Sequence, residues 1–305
     1  MPNEIKWNDR FNIGVDIIDS AHKQLFAIVG DLISLNEDEA KQQDACREGI
    51  KYFKNYAMKH FAQEEAYMKS IDYAGYDVHK SLHDNLRDDT LPTLEAELEE
   101  QGYSKESVQH FLGICIGWLN AHIMIEDYAI TGKSPSKWAH SASEDETDSL
   151  CQTFIGSLET LCHAKAQVVS QHYGGEDFAS GKSICYRLTY LAKDRSRLQF
   201  YFVFEESLVL HTLSAILSQD ILQVDQTAIS AMQIFSEQFV HTLKSHFMAD
   251  KKYLLEKSDL IDFDQFARTL DKEYPPYSLL FSVGGKDYCA FCADTYCLKI
   301  SSNRS

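Results

Sequence analysis

The sequence predicts a protein of two domains, an all-α up-down four-helix bundle followed by an α+β domain with an antiparallel sheet. Its 305 residues exceed a single typical core. Apolar residues recur every three to four positions in the first part, which is typical of amphipathic helices. After a polar stretch, runs of β-branched and aromatic residues predict strands. We expect domains at residues 1–133 and 149–305, joined by a linker at 134–148.

The bundle helices follow from apolar periodicity and capping residues. We expect four helices, at residues 20–35, 45–70, 78–101 and 104–131. Asp44 is the expected N-cap of the second helix, and Ser104 that of the fourth, with Ser107 as an alternative. Pro92 lies inside the third helix and predicts a kink or an interruption there. Four helices joined by short loops place side chains from facing helices around one centre.

Seven side chains of the kind that bind metals lie at fixed spacings on these helices: His22, His60, Glu64, His79, His83, His122 and Asp127. In His60-x3-Glu64 and His79-x3-His83 the paired side chains are about 40° apart on one helix face, so both reach one buried point. Five imidazoles and two carboxylates without a thiolate suit two iron ions and disfavour a closed structural zinc site. The sequence therefore predicts a non-haem di-iron centre inside the bundle.

The spacing of His122 and Asp127 differs from the others. Residues five apart lie about 140° from each other around an ideal helix, so these two do not share a face. A local widening such as a π-bulge would bring them together, and such bulges are frequent at functional sites. Glu126, four residues after His122, is the alternative ligand.

The N-terminal third resembles the bacteriohemerythrin family over about residues 5–133. Trp7, Gly14-Val15, Asp19 and His22 are similar to the family's opening pattern, W…GV…D-x-x-H. The stretch Trp118-Leu119-x-x-His122-Ile123-x-x-x-Asp127 is similar to its last-helix signature. The family has the same five-residue spacing between histidine and aspartate, which favours Asp127 over Glu126.

This resemblance implies two non-haem iron ions with an oxo or hydroxo bridge, and dioxygen as their ligand. One iron would be bound by His79, His83 and His122, and the other by His22 and His60. Glu64 and Asp127 would bridge the two. The iron with two histidines would keep an open position for dioxygen. The side chains expected to form an apolar wall over that position, or simply to pack in the core, are Trp118, Leu119 and Ile123.

Composition indicates an ordinary globular protein, with 44% apolar and 25% charged residues. The formal net charge of −17, with no basic stripe, argues against binding to nucleic acid or to an anionic membrane. There is no uninterrupted run of 18 apolar residues, and the first ten residues lack a signal-peptide core. We therefore expect a cytoplasmic protein.

The eight cysteines are scattered along the chain, which favours reduced and buried thiols. Cys289-x-x-Cys292 has the spacing of a redox or zinc motif. It lies in an expected strand at 286–295, where residues three apart point to opposite faces. A shared metal or disulfide is therefore not expected.

The second domain begins with an expected helix at 149–172. Strands at 183–192 and 198–205 flank Asp194-Arg195, and strands at 277–283 and 287–294 flank Gly284-Gly285, so each pair predicts an antiparallel hairpin. Two helices are expected between the hairpins, at 207–218 and 226–249. This order predicts helices on one side of an antiparallel sheet.

Residues 149–300 resemble the CheX-like chemotaxis phosphatase domain. The similar stretches are LCQTFIGSLETL, FEESLVLHTLSAIL and YSLLFSVGG. That family dephosphorylates response regulators with an E-x-x-N motif on its long helix, which makes Glu237 the candidate catalytic acid here. The position of the asparagine is Val240, and valine has no polar atom with which to orient water. The resemblance therefore favours dimerisation or partner binding over phosphatase activity, and Glu237 is otherwise a solvated helix residue.

Together these patterns predict an oxygen- or redox-sensing signalling protein. The C-terminal domain would transmit the state of the iron centre to a response regulator or another signalling protein, and would hold a homodimer together. The last bundle helix continues into the linker and is the expected lever. The alternatives are an oxygen storage or delivery protein with a passive second domain and an oxygen-gated phosphatase. Dioxygen, nitric oxide and redox state are all compatible with the pattern as the signal.

Overall fold

The computed structural model describes residues 7–37, 42–132, 146–175, 182–248, 252–272 and 275–294. Most of the linker expected at 134–148 lies outside these ranges. The chain divides into two compact units, the first built on the N-terminal helices and the second on a β-sheet. An all-α bundle followed by an α+β domain with an antiparallel sheet is thus confirmed as the fold class.

The helices of the first unit are α1 (Asp16–Glu37), α2 (Gln42–Ser70), α3 (Tyr76–Asn85), α4 (Leu91–Glu100), α5 (Lys105–Ala121) and the short α6 (Tyr128–Ile130). Two π-helical segments join consecutive helices. Leu86–Thr90 links α3 to α4, and His122–Asp127 links α5 to α6. With these segments included, α3–α4 and α5–α6 are the third and fourth helices of the expected bundle.

The interruption expected at Pro92 is the first of these π segments. Proline has no backbone N–H, and its ring clashes with the carbonyl group four residues earlier in an α-helix. The wider π turn before Pro92 gives that ring room. Ser104 caps α5 as expected, because its Oγ accepts a hydrogen bond from the Ser107 backbone N–H at 3.2 Å. Asp44 lies within the first turn of α2 rather than at its cap.

Helix α5 is the core of the first unit, since every residue from Phe111 to Ala121 is buried. A helix that is apolar on all sides must be surrounded by other elements. The stretch Lys105–Ile130 is long and apolar enough to cross a membrane by length and composition, yet 83% of its most apolar window is buried inside the protein. That burial is the pattern of a central core helix.

Residues Ser214–Ala231 were expected in the second domain but belong to the first compact unit. Within that unit, Nδ1 of His110 lies 2.7 Å from Oγ of Ser230. At Gly113 the helix approaches so closely that a Cβ atom would clash with the Thr227 carbonyl oxygen. These are contacts between residues more than a hundred positions apart, so the local sequence pattern contains no sign of them.

The strands of the second unit are β1 (Ala166–Ser170), β2 (Ser183–Ala192), β3 (Arg197–Glu205), β4 (Tyr253–Ile261), β5 (Tyr277–Val283) and β6 (Asp287–Asp294). They form one six-stranded sheet in the order β1-β5-β6-β3-β2-β4, in which every neighbouring pair is antiparallel. The remaining helices are α7 (Glu146–Cys162), α8 (Glu206–Leu217), α9 (Gln226–Thr242), α10 (Lys244–Phe247) and α11 (Phe263–Lys272).

Both expected hairpins are present, β2–β3 and β5–β6. Gly284 and Gly285 have φ angles of +63° and +72°. Two consecutive left-handed residues form the tight turn that suits the twist of a hairpin, and glycine adopts them without strain. Arg195, in the first hairpin, also has a positive φ of 67°.

Three parts of the second domain differ from the expectation. The helix expected at 149–172 ends at Cys162, because His163 adopts a left-handed φ of 56°, and β1 follows. Strand β4 and helix α11 were not predicted. The expectation of helices on one side of the sheet is wrong, because Phe266 and Leu270 of α11 pack against Tyr201 and Val203 on one face. The opposite face carries an aromatic cluster of Phe154, Phe202, Phe239, Phe281 and Phe291.

The seven cysteines within the described ranges are buried and form no disulfide. Cys292 lies in the cluster around α11, and its Sγ is 3.2 Å from Oγ of Ser278. Burial, together with the nearby Cys162 of α7, raises the pKa of Cys289. The two thiols thus face different helices, as the strand register predicted.

Candidate metal centre

The seven predicted ligands converge at the centre of the first unit. They lie on α1, α2, α3 and the π segment that follows α5. The most exposed of the seven is His122, at 4%. All five imidazoles turn Nε2 towards the carboxylates of Glu64 and Asp127. Side chains that are far apart in the sequence therefore share one buried point.

The donor atoms form two groups that have Glu64 in common. One group is Glu64, His79, His83 and His122, and the other is His22, His60 and Glu64. Within each group the atoms lie within 4.8 Å of one another. Three imidazoles on one side and two on the other is the division that the resemblance implied.

Each of the two carboxylates contacts both groups. Oε1 of Glu64 is 3.3 Å from Nε2 of His79, and its Oε2 is 3.4 Å from Nε2 of His60. Oδ1 of Asp127 is 3.1 Å from Nε2 of His122, and its Oδ2 is 3.2 Å from Nε2 of His22. Both carboxylates thus occupy positions from which they can bridge two ions.

The π segment His122–Asp127 explains how Asp127 reaches the centre. The extra residue in the turn compensates for the five-residue spacing and brings Asp127 onto the face of His122. The widening that the spacing predicted is therefore confirmed. Glu126 is also buried, and neither it nor Asp127 belongs to the two donor groups. Asp127 is favoured by its contacts with Nε2 of His22 and of His122.

Backbone hydrogen bonds to Asp19 fix the loop that precedes helix α1. Its two carboxylate oxygens accept from the N–H groups of Ile13 and Gly14, at 2.6 and 3.0 Å. Gly14 has a φ of 93°, which only glycine adopts without strain. These contacts hold the loop before α1 against the first turn of that helix, one turn ahead of His22.

The donor set fits metal ions. Both oxygens of Glu64 and of Asp127, and Nε2 of His22 and His79, are buried without a hydrogen-bond partner in favourable geometry. Buried polar atoms without partners are costly and call for an ion or water. Nε2 of His83 lies 2.9 Å from Nε2 of His122. Donors about 2.1 Å from one ion and at right angles to each other would be separated by about 3 Å.

Burial also lowers the pKa of three of the five imidazoles. It lowers the pKa of His22 to about 4 and that of His60 to about 3, and it lowers the pKa of His122 as well. Neutral imidazole is the form that binds metals. Burial, reinforced by the Glu64 carboxylate, raises the pKa of Asp127.

The chain matches the family described as the Hemerythrin HHE cation binding domain over residues 13–133. It is 32% identical to the bacteriohemerythrin of Clostridium acetobutylicum over 125 residues, which cover 40% of this chain and 94% of that protein. The chain belongs to the hemerythrin family. The myohemerythrin of Sipunculus nudus is 29% identical over 133 residues, covering 44% of this chain and 96% of that protein.

A solved structure, that of the chemotaxis protein CheX from Vibrio vulnificus, covers 50% of this chain and 100% of its own. The sequence identity is 7% and the TM-score is 0.36. Both values are too low to assign the second half of the chain to that family.

Aromatic rings hold two imidazoles of the hemerythrin domain in place. Trp118 stacks on His122, with ring centroids 4.1 Å apart and planes at 14°. Phe61 stacks on His83 at the same distance and at 10°. Trp118 therefore lies beside the group of three histidines, and no ring contact among the described residues joins it to His22 or His60. Its role over the open position stays a prediction, as do those of the buried residues Leu119 and Ile123.

Two residues near the hemerythrin ligands were missed by the sequence reasoning, Phe61 and Glu65. Phe61 follows His60 directly, and Glu65 follows Glu64. Oε1 of Glu65 lies 3.2 Å from Nδ1 of His83. The available signal was a second carboxylate beside the first, on the helix that carries both His60 and Glu64.

Glu237, the candidate catalytic acid, lies in the part of α9 that belongs to the second unit. Burial raises its pKa to about 7. Val240 is 1% exposed, so the position expected to carry the amide of the phosphatase motif is in the core. The side-chain amide of Gln233 contacts Glu237, since its Nε2 donates a hydrogen bond to Oε1 of Glu237 at 3.4 Å.

Proposed function

We propose that this chain is an oxygen- or redox-sensing signalling protein whose hemerythrin domain holds two non-haem iron ions. The observation that carries the proposal is the buried set of seven donors whose two carboxylates each contact both histidine groups. His79, His83 and His122 would bind one ion, and His22 and His60 the other. Glu64 and Asp127 would contact both.

Two iron ions at this position would supply reversible dioxygen binding and a change of oxidation state. The residues of the chain supply the donor atoms, orient them and limit the access of water. Burial lowers the pKa of His22, His60 and His122, which favours the neutral imidazoles that bind metal. Trp118 and Phe61 fix the planes of His122 and His83. The apolar surroundings exclude water, which limits access of competing ligands.

Iron analysis and ultraviolet–visible spectra of the purified protein test the iron centre. We expect about two irons per chain after anaerobic loading with ferrous salt, and a charge-transfer band after exposure to air. His60→Ala should bind less iron, whereas His172→Ala, outside the bundle, should bind as much as the unaltered chain. A protein that retains no iron would contradict the proposal.

The C-terminal domain would be the output, acting on a response regulator or another signalling protein in the cytoplasm. The sequence resemblance to CheX-like domains and the continuity of the last bundle helix with the linker support this part. A coupling free energy of about 1–3 kcal/mol between the sites would suffice. The effector could be dioxygen, nitric oxide or the redox state of iron, and partner binding measured under each condition distinguishes them.

Removal of residues 149–305 separates signalling from storage or delivery of oxygen. If the second domain is the output, the shortened chain should still bind dioxygen but lose partner binding and any oxygen-dependent phenotype. Retention of both would support the storage alternative instead.

Strand β4 is the surface proposed to hold a homodimer together. It lies at an edge of the sheet and exposes Leu254, Leu255 and Leu260, at 62%, 40% and 55%. Exposed edge strands are templates for pairing. In the register that sets Glu256 against Lys257 of an antiparallel copy of β4, each would face the other's unlike charge, in addition to the contact of Lys257 with Asp259 of its own strand.

The charge pairing gives a direct test of the dimer. Lys257→Glu should shift the protein towards monomer in sedimentation analysis, because two glutamates would then face two glutamates. The double exchange Glu256→Lys with Lys257→Glu should restore the dimer. If Lys257→Glu leaves the association unchanged, β4 is not the interface.

A second candidate function, an oxygen-gated phosphatase, is favoured by one observation. Glu237 has a pKa of about 7, suited to acid–base work near neutral pH, and the Gln233 amide lies beside it. Phosphate release from an acyl-phosphorylated response regulator decides between the candidates. Turnover that depends on Glu237 would establish an enzyme, and turnover unaffected by Glu237→Ala would exclude this site.

A further inference from the structure

We infer that Glu65 is a positioning residue for His83 in the iron centre, an inference that rests on the proposed function. Oε1 of Glu65 lies 3.2 Å from Nδ1 of His83. The other ring nitrogen, Nε2, lies 2.9 Å from Nε2 of His122 and 3.5 Å from Oε2 of Glu64. Glu65 thus contacts the imidazole on the side that faces away from the metal donors.

The contact determines which nitrogen of His83 carries the hydrogen. A carboxylate accepts hydrogen bonds and does not donate them, so Nδ1 must be the N–H that donates to Glu65. The lone pair of the neutral ring is then on Nε2. That nitrogen is the one directed at the donor group, so Glu65 selects the tautomer that can bind a metal ion.

Helix α2 places three groups around this ring. Phe61 and Glu65 are four residues apart and therefore lie on one face of the helix. Phe61 stacks on the ring plane at a centroid distance of 4.1 Å, and Glu65 meets the ring edge. Glu64, the next residue back, contacts Nε2 from inside the centre. The two adjacent carboxylates of α2 thus take different positions, one among the metal donors and one behind them.

His83 differs from the other imidazoles in this contact. Nδ1 of His60 and Nδ1 of His79 are buried without a hydrogen-bond partner among the described residues. His83 alone, among the described ion pairs of the five, reaches a carboxylate outside the ligand set. Its ring is therefore the one whose orientation and donor strength an outer carboxylate controls.

The surroundings of Glu65 suit a charged acceptor. Its side chain is 17% exposed, while that of His83 is fully buried. Lys69 and Lys80 lie near enough to interact electrostatically with it. Glu65 thus reaches a ligand in the interior from a partly exposed position at the protein surface. Outer carboxylates of this kind raise the basicity of the histidine and restrain its ring.

Loss of iron to a ferrous chelator under anaerobic conditions tests the inference. Removing an outer partner of a metal ligand typically lowers metal affinity about 10- to 100-fold. We expect iron to leave Glu65→Ala about 10 to 100 times faster than the unaltered chain. Glu65→Gln should fall between them, because its amide oxygen still accepts a hydrogen bond but has no charge. Glu48→Gln, an exposed glutamate on the same helix, should behave like the unaltered chain.

The thermal unfolding of the iron-free proteins separates positioning from general stability. If Glu65 positions His83 for iron, Glu65→Gln should unfold at the temperature of the unaltered chain when iron is absent. The inference is overturned if the Glu65 variants retain iron as the unaltered chain does, and the iron centre then still stands. It is also overturned if the iron-free Glu65→Gln protein loses stability in proportion to its loss of iron. If the unaltered chain holds no iron, the proposed function itself fails.

Discussion

Replacing Asp127 by asparagine should stabilise the iron-free protein and reduce the stabilisation that iron adds. Asp127 is fully buried, and neither of its oxygens has a hydrogen-bond partner in favourable geometry. It also lies beside a second buried carboxylate, Glu64. Without iron, asparagine removes the cost of burying this acid. If two irons are bound as proposed, the same change would remove a ligand from both ions.

The free-energy change without iron follows from the burial of Asp127, and the change with iron follows from the lost affinity for the metal. Replacing a buried ion pair with well-packed hydrophobic residues of similar volume is often neutral or stabilises proteins by about 1–4 kcal/mol, and we take this as the range for neutralising Asp127 beside Glu64. A 100-fold loss of iron affinity would remove about 2.7 kcal/mol of the stabilisation that binding supplies. In a domain of this size each kcal/mol shifts the unfolding temperature by about 4 °C. We therefore expect the unfolding temperature without iron to rise by about 4 °C for each kcal/mol gained, and the increase that iron adds to shrink by about 11 °C.

Thermal unfolding followed by circular dichroism measures both shifts. Each protein is prepared once with chelator and once with ferrous iron under anaerobic conditions. Asp31→Asn is the matched control, because Asp31 is an exposed carboxylate on α1, and it should follow the unaltered chain in both preparations. If Asp127→Asn lowers the unfolding temperature equally with and without iron, Asp127 is a structural residue and the reasoning is refuted.

Further predictions concern the second domain, the oxygen pocket and a helix cap. The pKa of Glu237 is raised from 4.5 to about 7, so the fold loses stability as pH rises through that window. Glu237→Gln should therefore be more stable than the unaltered chain at pH 8, by at most about 3 kcal/mol, and equal to it at pH 4 in urea unfolding. Leu119→Ala should speed the oxidation of ferrous protein in air, and an unchanged rate would count against Leu119 lining the pocket. Ser104→Ala should cost about 1 kcal/mol of unfolding free energy, and no loss would mean that Ser107 caps α5 instead.

The bundle and its donors could be predicted because the signals are local. His60 with Glu64, and His79 with His83, are pairs four residues apart, and helix geometry alone puts each pair on one face. The capping contact of Ser104 is likewise decided within one turn. Even the π segment could be predicted, since two residues that are five positions apart, such as His122 and Asp127, do not share a face in an α-helix.

The sheet domain was harder to predict from the sequence, because the pairing of each strand depends on residues far away in the chain. Residues Ala166–Ser170 form β1 by pairing with β5, more than a hundred positions later. Strand β4 exposes most of its residues on both faces, so it lacks the alternation that predicts a strand. Helix α11 has a clear apolar face, but nothing local says which side of the sheet it covers. Glu65 was missed for a similar reason, because its partner is 18 positions away.

The π segment connects the metal centre with the direction of the chain beyond it. In an α-helix, Glu126 rather than Asp127 would share the face of His122, so the choice of bridging carboxylate depends on one extra residue in one turn. Loss of that extra residue from the turn would rotate everything after it by about 100° and move it by about 1.5 Å. Whatever holds Asp127 against His22 and His122 therefore also holds α6 in its present orientation. If iron binds here as proposed, a change that released Asp127 would act on Tyr128–Ile130, which supports the proposal that the last bundle helix is the lever.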